Sequence, residues 1–375
     1  MNPAENLKQS SYPCEQCGAS LRFSIGSGDL SCSYCGHNNP IPQNAVEIQE
    51  YRFEEALQRL AQAKNEPIRH ETVVHCTVCA AKFKWDEHIH AGECPFCGTA
   101  VISSTEHLRL LKPRSLLPFQ ITHQQGQTAF KDWIHHLWFA PSAVKHYARS
   151  DEKLLGVFLP YWTYDSQTDS RYHGYRGDVY YENERYMTTI NGREVEQVRQ
   201  VAKIRWTATS GRVQRHFDDV LIGASKTLPR TITSRLEPWD LQALVPFDEQ
   251  YLSGFQSEVY QVELKEGFDD AKHLMDQVIR RDVRQDIGGD RQKISHLETQ
   301  HRQVTFKHLL LPIWSAAFHY RQKTYRFVIN GRTGNVQGER PYSWIKISVA
   351  VLLTLTVFAG VVWFLDKSGL LSQIK

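Results

Sequence analysis

Four cysteines in the order Cys-x-x-Cys, fourteen residues, Cys-x-x-Cys occur twice in this chain, and no cysteine lies elsewhere. The quartets are Cys14, Cys17, Cys32 and Cys35, then Cys76, Cys79, Cys94 and Cys97, each of the second set 62 positions after its counterpart. A Cys-x-x-Cys turn puts two thiolates within reach of one tetrahedral ion, and a second turn completes the shell. The glycine in "CEQCG", "CSYCG" and "CPFCG" lets the knuckle turn tightly. Between the pairs, "ASLRFS" and "AKFKWD" alternate as short strands do and should bring the second knuckle against the first. Four sulfurs leave no open position, so each ion is expected to be structural, and a module this small needs it to fold. Zn2+ is the expected ion, two per chain, with iron in a rubredoxin-like site as the rival. His37, His75, His88 and His90 lie nearby but read as surface residues, because the cysteines already fill each site.

The C-terminal end adds a second constraint. Ile347 to Leu365 is an uncharged run of nineteen residues, about 28 Å long as a helix, close to a hydrocarbon thickness of about 30 Å. Trp344 and Trp363 stand near its ends, bracketed by Lys346 and by Asp366 and Lys367. Arg326, Arg332, Arg340 and Lys346 precede the run, whereas only Lys367 and Lys375 follow it. The positive-inside bias therefore predicts a tail-anchored protein of the inner (cytoplasmic) membrane, single-pass, with its N-terminal body in the cytoplasm. The opening "MNPAENLKQSSYP" has no apolar h-region. Reduced cysteines in a reducing compartment agree with metal ligation rather than disulfides.

Charge separates the possible partners. The chain carries 44 Lys+Arg against 41 Asp+Glu, a net of +3. Residues 1–103 hold 8 Lys+Arg and 12 Asp+Glu, a net of −4, which leaves +7 for the remainder. In residues 11–40 Arg22 faces Glu15 and Asp29; in 72–103 Lys82 and Lys84 face Asp86, Glu87 and Glu93. Each ribbon is net −1, whereas phosphate contacts need clustered Lys and Arg. A protein partner is favoured over nucleic acid.

Between the quartets, "AVEIQEYRFEEALQRLAQAKN" is expected as a helix with Phe53, Leu57, Leu60 and Ala61 on one stripe. "LLPFQIT" reads as a strand. In "TAFKDWIHHLWFAP" the residues Phe130, Trp133, Ile134, Leu137 and Trp138 repeat at helical spacing until Pro141. His135 and His136 flank that stripe and do not share a helix face, so the structural reading is preferred. Strand-rich sequence runs from Gly156 to about Ile222, and the Asn-Gly pairs in "TTING" and "YRFVINGRTGNV" predict hairpins. "GVFLPYW" and "HLLLPIW" echo one another, hinting at two halves built on similar strands, with a helix from Phe268 to Gln285 between them. The class is α+β with an antiparallel sheet. The expected organisation is zinc ribbon 1 at 11–40, a helical linker at 41–71, zinc ribbon 2 at 72–103, an α+β domain at 104–343 and a transmembrane helix at 344–366.

Two motifs fail on spacing. "HETVVH", His70 to His75, separates its histidines by five positions, which one helix face does not bring together. In "GASKT" a phosphate loop would need glycine where Ser225 and Val220 stand. No nucleophile–base pair, glycine-rich cofactor loop or carboxylate pair is singled out by spacing, so the chain reads as non-catalytic.

The duplicated ribbon, "WFAP", "GVFLPYW", "DIGG", "KHLLLPIW" and "YRFVINGRTGNVQGERPYSWIKI" together resemble a bacterial family of membrane-anchored, duplicated zinc-ribbon proteins. Its members are often labelled as primosomal replication-restart helicase or transcription-factor-IIB-type zinc-ribbon proteins. The similarity covers essentially the whole chain. The label implies nucleic-acid binding at the membrane, linked to replication or transcription. A helicase needs a phosphate loop and an acidic Mg2+ motif on a large ATPase core. The sequence has neither, and "DEH" at Asp86 to His88 lies inside the second ribbon. The expected function is a non-enzymatic adaptor.

Overall fold

The computed structural model describes residues 12–42, 48–62, 73–84, 91–102, 111–141, 154–190, 193–320 and 323–367. The first quartet lies on an antiparallel sheet of β1 (Leu21–Phe23), β2 (Leu30–Cys32) and β3 (Asn38–Asn39). β4 (Tyr51–Arg52) runs straight into α1 (Phe53–Gln62). The second quartet lies on two hairpins, β5 (Val73–His75) with β6 (Lys82–Lys84) and β7 (Ala91–Glu93) with β8 (Ala100–Ile102). Then come β9 (Ser115–Leu116), α2 (His123–His135), β10 (Leu155–Ile190) and β11 (Arg193–Gly223). A short helix α3 (Arg230–Thr233) and β12 (Val245–Pro246) lead to β13 (Gln256–Glu258), α4 (Leu264–Ile287) and β14 (Arg291–Tyr320). β15 (Lys323–Asn330), β16 (Val336–Gly338) and α5 (Trp344–Lys367) complete the described chain. The architecture is mixed α+β. Its large sheet is antiparallel except where β13 meets β10 and β9 meets β14.

The echo between "GVFLPYW" and "HLLLPIW" has a structural cause. The segments pair antiparallel with Leu159 opposite Leu311, so the same motif position meets itself across the sheet. Around that point a β-α-β-β unit repeats. β13 adds to β10 at Val157 and Phe158, just as β9 adds to β14 at Leu309 and Leu310. Trp162 Nε1 donates to the Val262 carbonyl at 2.9 Å, and Trp314 Nε1 donates to the Ile121 carbonyl at 2.9 Å. Both carbonyls lie two residues before a helix, α4 and α2 respectively. Gly267 and Gly126, fourth in their helices, leave room for the indoles: a Cβ would come 2.9 Å from Trp162 Cδ1 and 3.3 Å from Trp314 Cδ1.

The prolines obey the same repeat. Proline inside a sheet forfeits a ladder donor. The Pro160 carbonyl accepts from Ala224 N–H at 3.0 Å and the Pro312 carbonyl from Gly331 N–H at 2.9 Å. On that edge, β13 gives way to β11 beside Pro160, and β9 gives way to β15 beside Pro312. Each missing N–H falls in a gap between neighbours, so no ladder bond is lost.

Several expectations change in the folded chain. The segment expected as a linker contributes to the large domain. Arg52 pairs with Thr305 of β14, and Phe53 packs on Phe268 with ring centroids 4.6 Å apart. The helix starts at Phe53 because Tyr51 is extended against Phe306. α2 ends at His135, before Pro141, and Trp138 is 82% exposed rather than part of the core stripe. α4 is longer than expected, spanning Leu264–Ile287 and stopping at Gly288 with φ 66°. Neither cysteine module stands apart. Leu21, Phe23 and Ile41 share a core with Phe119, Phe158 and Trp314, and Val74, Phe83 and Phe96 share another with Leu159 and Leu311.

β10, β11 and β14 form a long three-stranded sheet whose even-numbered β10 face, with Trp162, Tyr164 and Tyr172, is covered by α4. β14 joins β10 only as far as Gly177↔Arg291. Asp178 to Ile190 continue with β11 alone, 13 residues that extend about 43 Å. Asn191 and Gly192 lie outside the described residues. The two faces of this ribbon differ. One carries Lys203 between Glu182 and Glu184, Arg199 against Glu184, and Arg199 and Arg205 over the rings of Tyr186 and Tyr180. The other is mostly apolar, with Trp206, Ile204, Val179, Tyr181, Val198 and Met187, and an Arg185–Glu196 ion pair near the tip. Tyr181, Met187 and Val198 are each at least 60% exposed.

α5 is long and apolar enough to cross a membrane, and none of its apolar window is buried. It is tied to the body at its start. Ser343 N–H donates to the Phe139 carbonyl at 2.7 Å, and Lys346 Nζ donates to the Ala140 carbonyl at 2.7 Å.

Candidate metal centres

Each Cys-x-x-Cys sits in a hairpin. A Pro13↔Ser20 bridge flanks the first, β2 and β3 the second, β5 and β6 the third, and β7 and β8 the fourth. In all four, the residue after the second cysteine returns its N–H to the first cysteine's carbonyl. Gly18 reaches Cys14 at 2.8 Å, Gly36 reaches Cys32 at 2.9 Å, Ala80 reaches Cys76 at 2.8 Å and Gly98 reaches Cys94 at 2.8 Å. Closing that bond takes the left-handed backbone, with φ of 74°, 75°, 60° and 70° in the same order. Three positions are glycine. Ala80 holds the conformation with a Cβ, which costs about 1 kcal/mol.

The sulfurs converge. Cys14 Sγ lies 3.6 Å from Cys35 Sγ and Cys17 Sγ 3.5 Å from Cys32 Sγ. In the second quartet Cys76–Cys97 and Cys79–Cys94 are both 3.5 Å apart. All four sulfurs of each quartet lie within 4.8 Å of one another, and all eight cysteines are free thiols. A tetrahedron with metal–sulfur bonds of 2.3 Å has edges of about 3.8 Å. Both clusters are thus close enough to hold a metal ion, and their size suits zinc.

One sulfur in each quartet is held below the ordinary thiol value. The N–H of Cys35, helped by that of Tyr34, holds the Cys32 thiol down to about 6. In the second quartet, hydrogen bonds with Cys79 and then Cys94 keep Cys97 below the ordinary thiol value. Cys79 and Cys97 in turn drive Cys94 above it. Four adjacent sulfurs cannot all ionise by themselves. A divalent cation removes that repulsion, which couples its binding to the folded arrangement. The sites differ in depth: Cys17 and Cys35 are exposed, whereas Cys76, Cys94 and Cys97 are buried and Cys79 is half-buried.

Other groups singled out from sequence fall elsewhere. His37 and His75 are half-buried rather than on the surface, and neither joins a quartet. His88 and His90, like Asp86 and Glu87, lie outside the described residues. β5 makes the end of "HETVVH" a strand, so no helical histidine pair forms. His135 and His136 are exposed at the end of α2. In "GASKT", Ser225 and Thr227 donate to Glu258, and Lys226 pairs with Glu266 at 2.9 Å.

One convergence has no sequence signal. Glu50, Asp165 and Asp218 bring carboxylates together where β11 and β14 both bulge, at Asp219 (φ 51°) and Gln303 (φ 49°). Asp165 is buried, accepting from Asp219 N–H at 2.6 Å and Thr305 Oγ1 at 2.8 Å. Burial, then the neighbouring Glu50, pushes its carboxyl up to about 6. Lys307 Nζ lies 3.0 Å from Glu50 and 2.7 Å from Asp219. The chain itself supplies the cation this corner needs.

No family model matches the chain, and no solved structure matches it. It is 26% identical over 344 residues to a Bacillus subtilis (strain 168) protein named "Uncharacterized protein YdjG". The alignment covers 90% of this chain and 92% of that one.

Proposed function

We propose that this chain is a membrane-anchored zinc-ribbon adaptor: two structural Zn2+ ions, a single C-terminal span in the inner membrane, a cytoplasmic body, and a protein partner. Four thiolates around each ion leave no coordination position for a substrate, which favours a structural metal over a catalytic one. The arginines and lysine before α5 favour retention of the body on the cytoplasmic side. The observation that carries the protein-binding reading is the β10–β11 ribbon. An exposed apolar strip on a projecting hairpin costs solubility unless something covers it. Its opposite face is laced with ion pairs and stays wet without help.

The test is affinity capture from detergent-solubilised membranes with the full chain and with Tyr181→Glu/Val198→Glu. Both positions are exposed, so the body should fold unchanged. A protein retained by the wild type after nuclease treatment and lost from the variant is the expected result. Equal capture by both chains would overturn the ribbon as the contact. Capture abolished by nuclease would instead favour the second reading, nucleic-acid binding at the membrane. Arg171, Lys293 and Arg302, on the sheet face that α4 leaves open, are the groups that reading would use.

A further inference from the structure

The two β-α-β-β units are filled differently at one equivalent place. Across the β10–β14 pairing, Gly156 stands opposite Trp314, and His308 stands opposite Trp162. Phe255 occupies the space beside Gly156, where a Cβ would come within 2.3 Å of its ring. His308 keeps a side chain there, 4.7 Å from the Trp162 ring and 5.4 Å from Tyr260 by centroids. The duplicated fold does not require a histidine at this position.

His308 is 5% exposed. Its Nδ1 lies 2.8 Å from the carbonyl oxygen of Leu111. A carbonyl only accepts, so Nδ1 carries the hydrogen and Nε2 is left as an acceptor. Among the described residues no donor reaches Nε2. Burial pushes the imidazole down to about 4, so the ring is neutral near pH 7. A buried acceptor without a donor costs free energy that a ligand's N–H would recover.

The same histidine lines a cavity of about 870 Å3, shared with Tyr51, Phe306, Arg52, Arg59, Lys112 and Arg114. The Arg114 guanidinium lies 4.4 Å above the Tyr51 ring. Neither Arg114 nor Lys112 pairs with a carboxylate among the described residues. Arg52 and Arg59 share Glu55 at 3.7 and 3.8 Å. Among the described residues the lining thus has four cations against one carboxylate, aromatic walls and one unfilled acceptor. Together these ask for a ligand with a negative charge, a flat ring and an N–H donor. Inorganic phosphate meets only the first requirement and a fatty acid lacks the donor.

We propose that this cavity binds a nucleoside phosphate. The phosphate lies among Lys112, Arg114 and the α1 arginines, the base lies against Tyr51 and Phe306, and a base N–H donates to His308 Nε2. The proposal does not rest on the adaptor reading and stands or falls separately.

The experiment is calorimetric titration of the full chain in detergent with adenosine, guanosine, cytidine and uridine monophosphates, and with inorganic phosphate alone. At least one nucleotide should bind at one site per chain in the micromolar range, with phosphate alone at least about tenfold weaker. Arg114→Ala, at an exposed position, should weaken that nucleotide by about tenfold or more. His308→Phe keeps the packing on Trp162 but loses the acceptor, and should reduce discrimination among the bases. Lys112→Ala provides a second exposed variant should His308→Phe fail to fold. No binding by any of the four at millimolar concentration would overturn the proposal. So would phosphate binding as tightly as the nucleotides, or Arg114→Ala and Lys112→Ala both retaining full affinity.

Discussion

Glu258→Gln tests the join between the second cysteine module and the large sheet. β13 carries Glu258 between β10 and β6, opposite Phe83. The side chain is 3% exposed. Its Oε1 accepts from Ser225 Oγ at 2.9 Å, from Thr227 Oγ1 and from Gln261 Nε2 at 3.2 Å, whereas Oε2 meets no donor among the described residues. Burial pushes the carboxyl from 4.5 up to about 7. The folded chain therefore holds a proton that the unfolded chain releases. Stability is greatest below the unfolded value and declines as pH rises to about 7. At about 1.4 kcal/mol per tenfold step, the gap from 4.5 to 7 costs about 3 kcal/mol above pH 7 and under about 1 kcal/mol at pH 5. Glutamine keeps the Oε1 acceptor and cannot ionise. The variant should be more stable than the wild type by about 3 kcal/mol at pH 8, a melting difference of roughly 5 °C or more, shrinking to a degree or two at pH 5. The assay is thermal unfolding of both full chains in detergent at both pH values, so that changes in cysteine ionisation cancel. A variant no more stable at pH 8, or a difference that does not change with pH, would refute the buried-carboxylate argument.

Three further outcomes follow from the same structure. Cys76→Ser should lower metal content from two ions per chain to one and unfold the second ribbon, because the quartets share no ligand; elemental analysis beside limited proteolysis reads both effects. Ala80→Gly should stabilise the second ribbon by about 1 kcal/mol, seen as slower metal loss to a chelator, because glycine adopts φ 60° without a Cβ clash. Gly267→Ala should cost about 1 to 3 kcal/mol in thermal unfolding and Gly126→Ala less. The first Cβ would meet Tyr164 Oη at 2.5 Å, and the second would come no nearer than 3.3 Å to Leu154 or Trp314.

What the sequence revealed was local, and what it hid was long-range. Cysteine spacing specifies a quartet because both pairs lie in one short module, and the sulfurs do converge. The Leu-Pro-x-Trp echo was visible, but its meaning was not. Only antiparallel pairing of Leu159 with Leu311 turns two similar strings into one repeated unit. Spacing could not show that the segment expected as a linker meets the large sheet, because Glu50 finds its partners at Thr305 and Lys307, more than 250 positions away. Trp138 fitted a helical stripe by spacing, yet the helix ends first at His135. His308 offered no signal, since its ring meets the Leu111 carbonyl, nearly 200 positions away, and the cavity it lines draws on four separate stretches of chain.

The attachment of α5 determines how the body can search for anything. Five residues separate β16 from α5, a reach of at most about 18 Å, and the bonds from Ser343 and Lys346 to Phe139 and Ala140 shorten even that. A long flexible tether dilutes its cargo through a sphere and randomises its orientation. Were α5 seated in a bilayer, these two hydrogen bonds would hold the head close to the surface and limit its tilt. Encounters with a partner in the same bilayer would then be collisions in a plane between pre-aligned bodies. Lengthening the 339–343 segment with glycine and serine would return them to a volume search, at a lower effective concentration, without altering one residue of either surface.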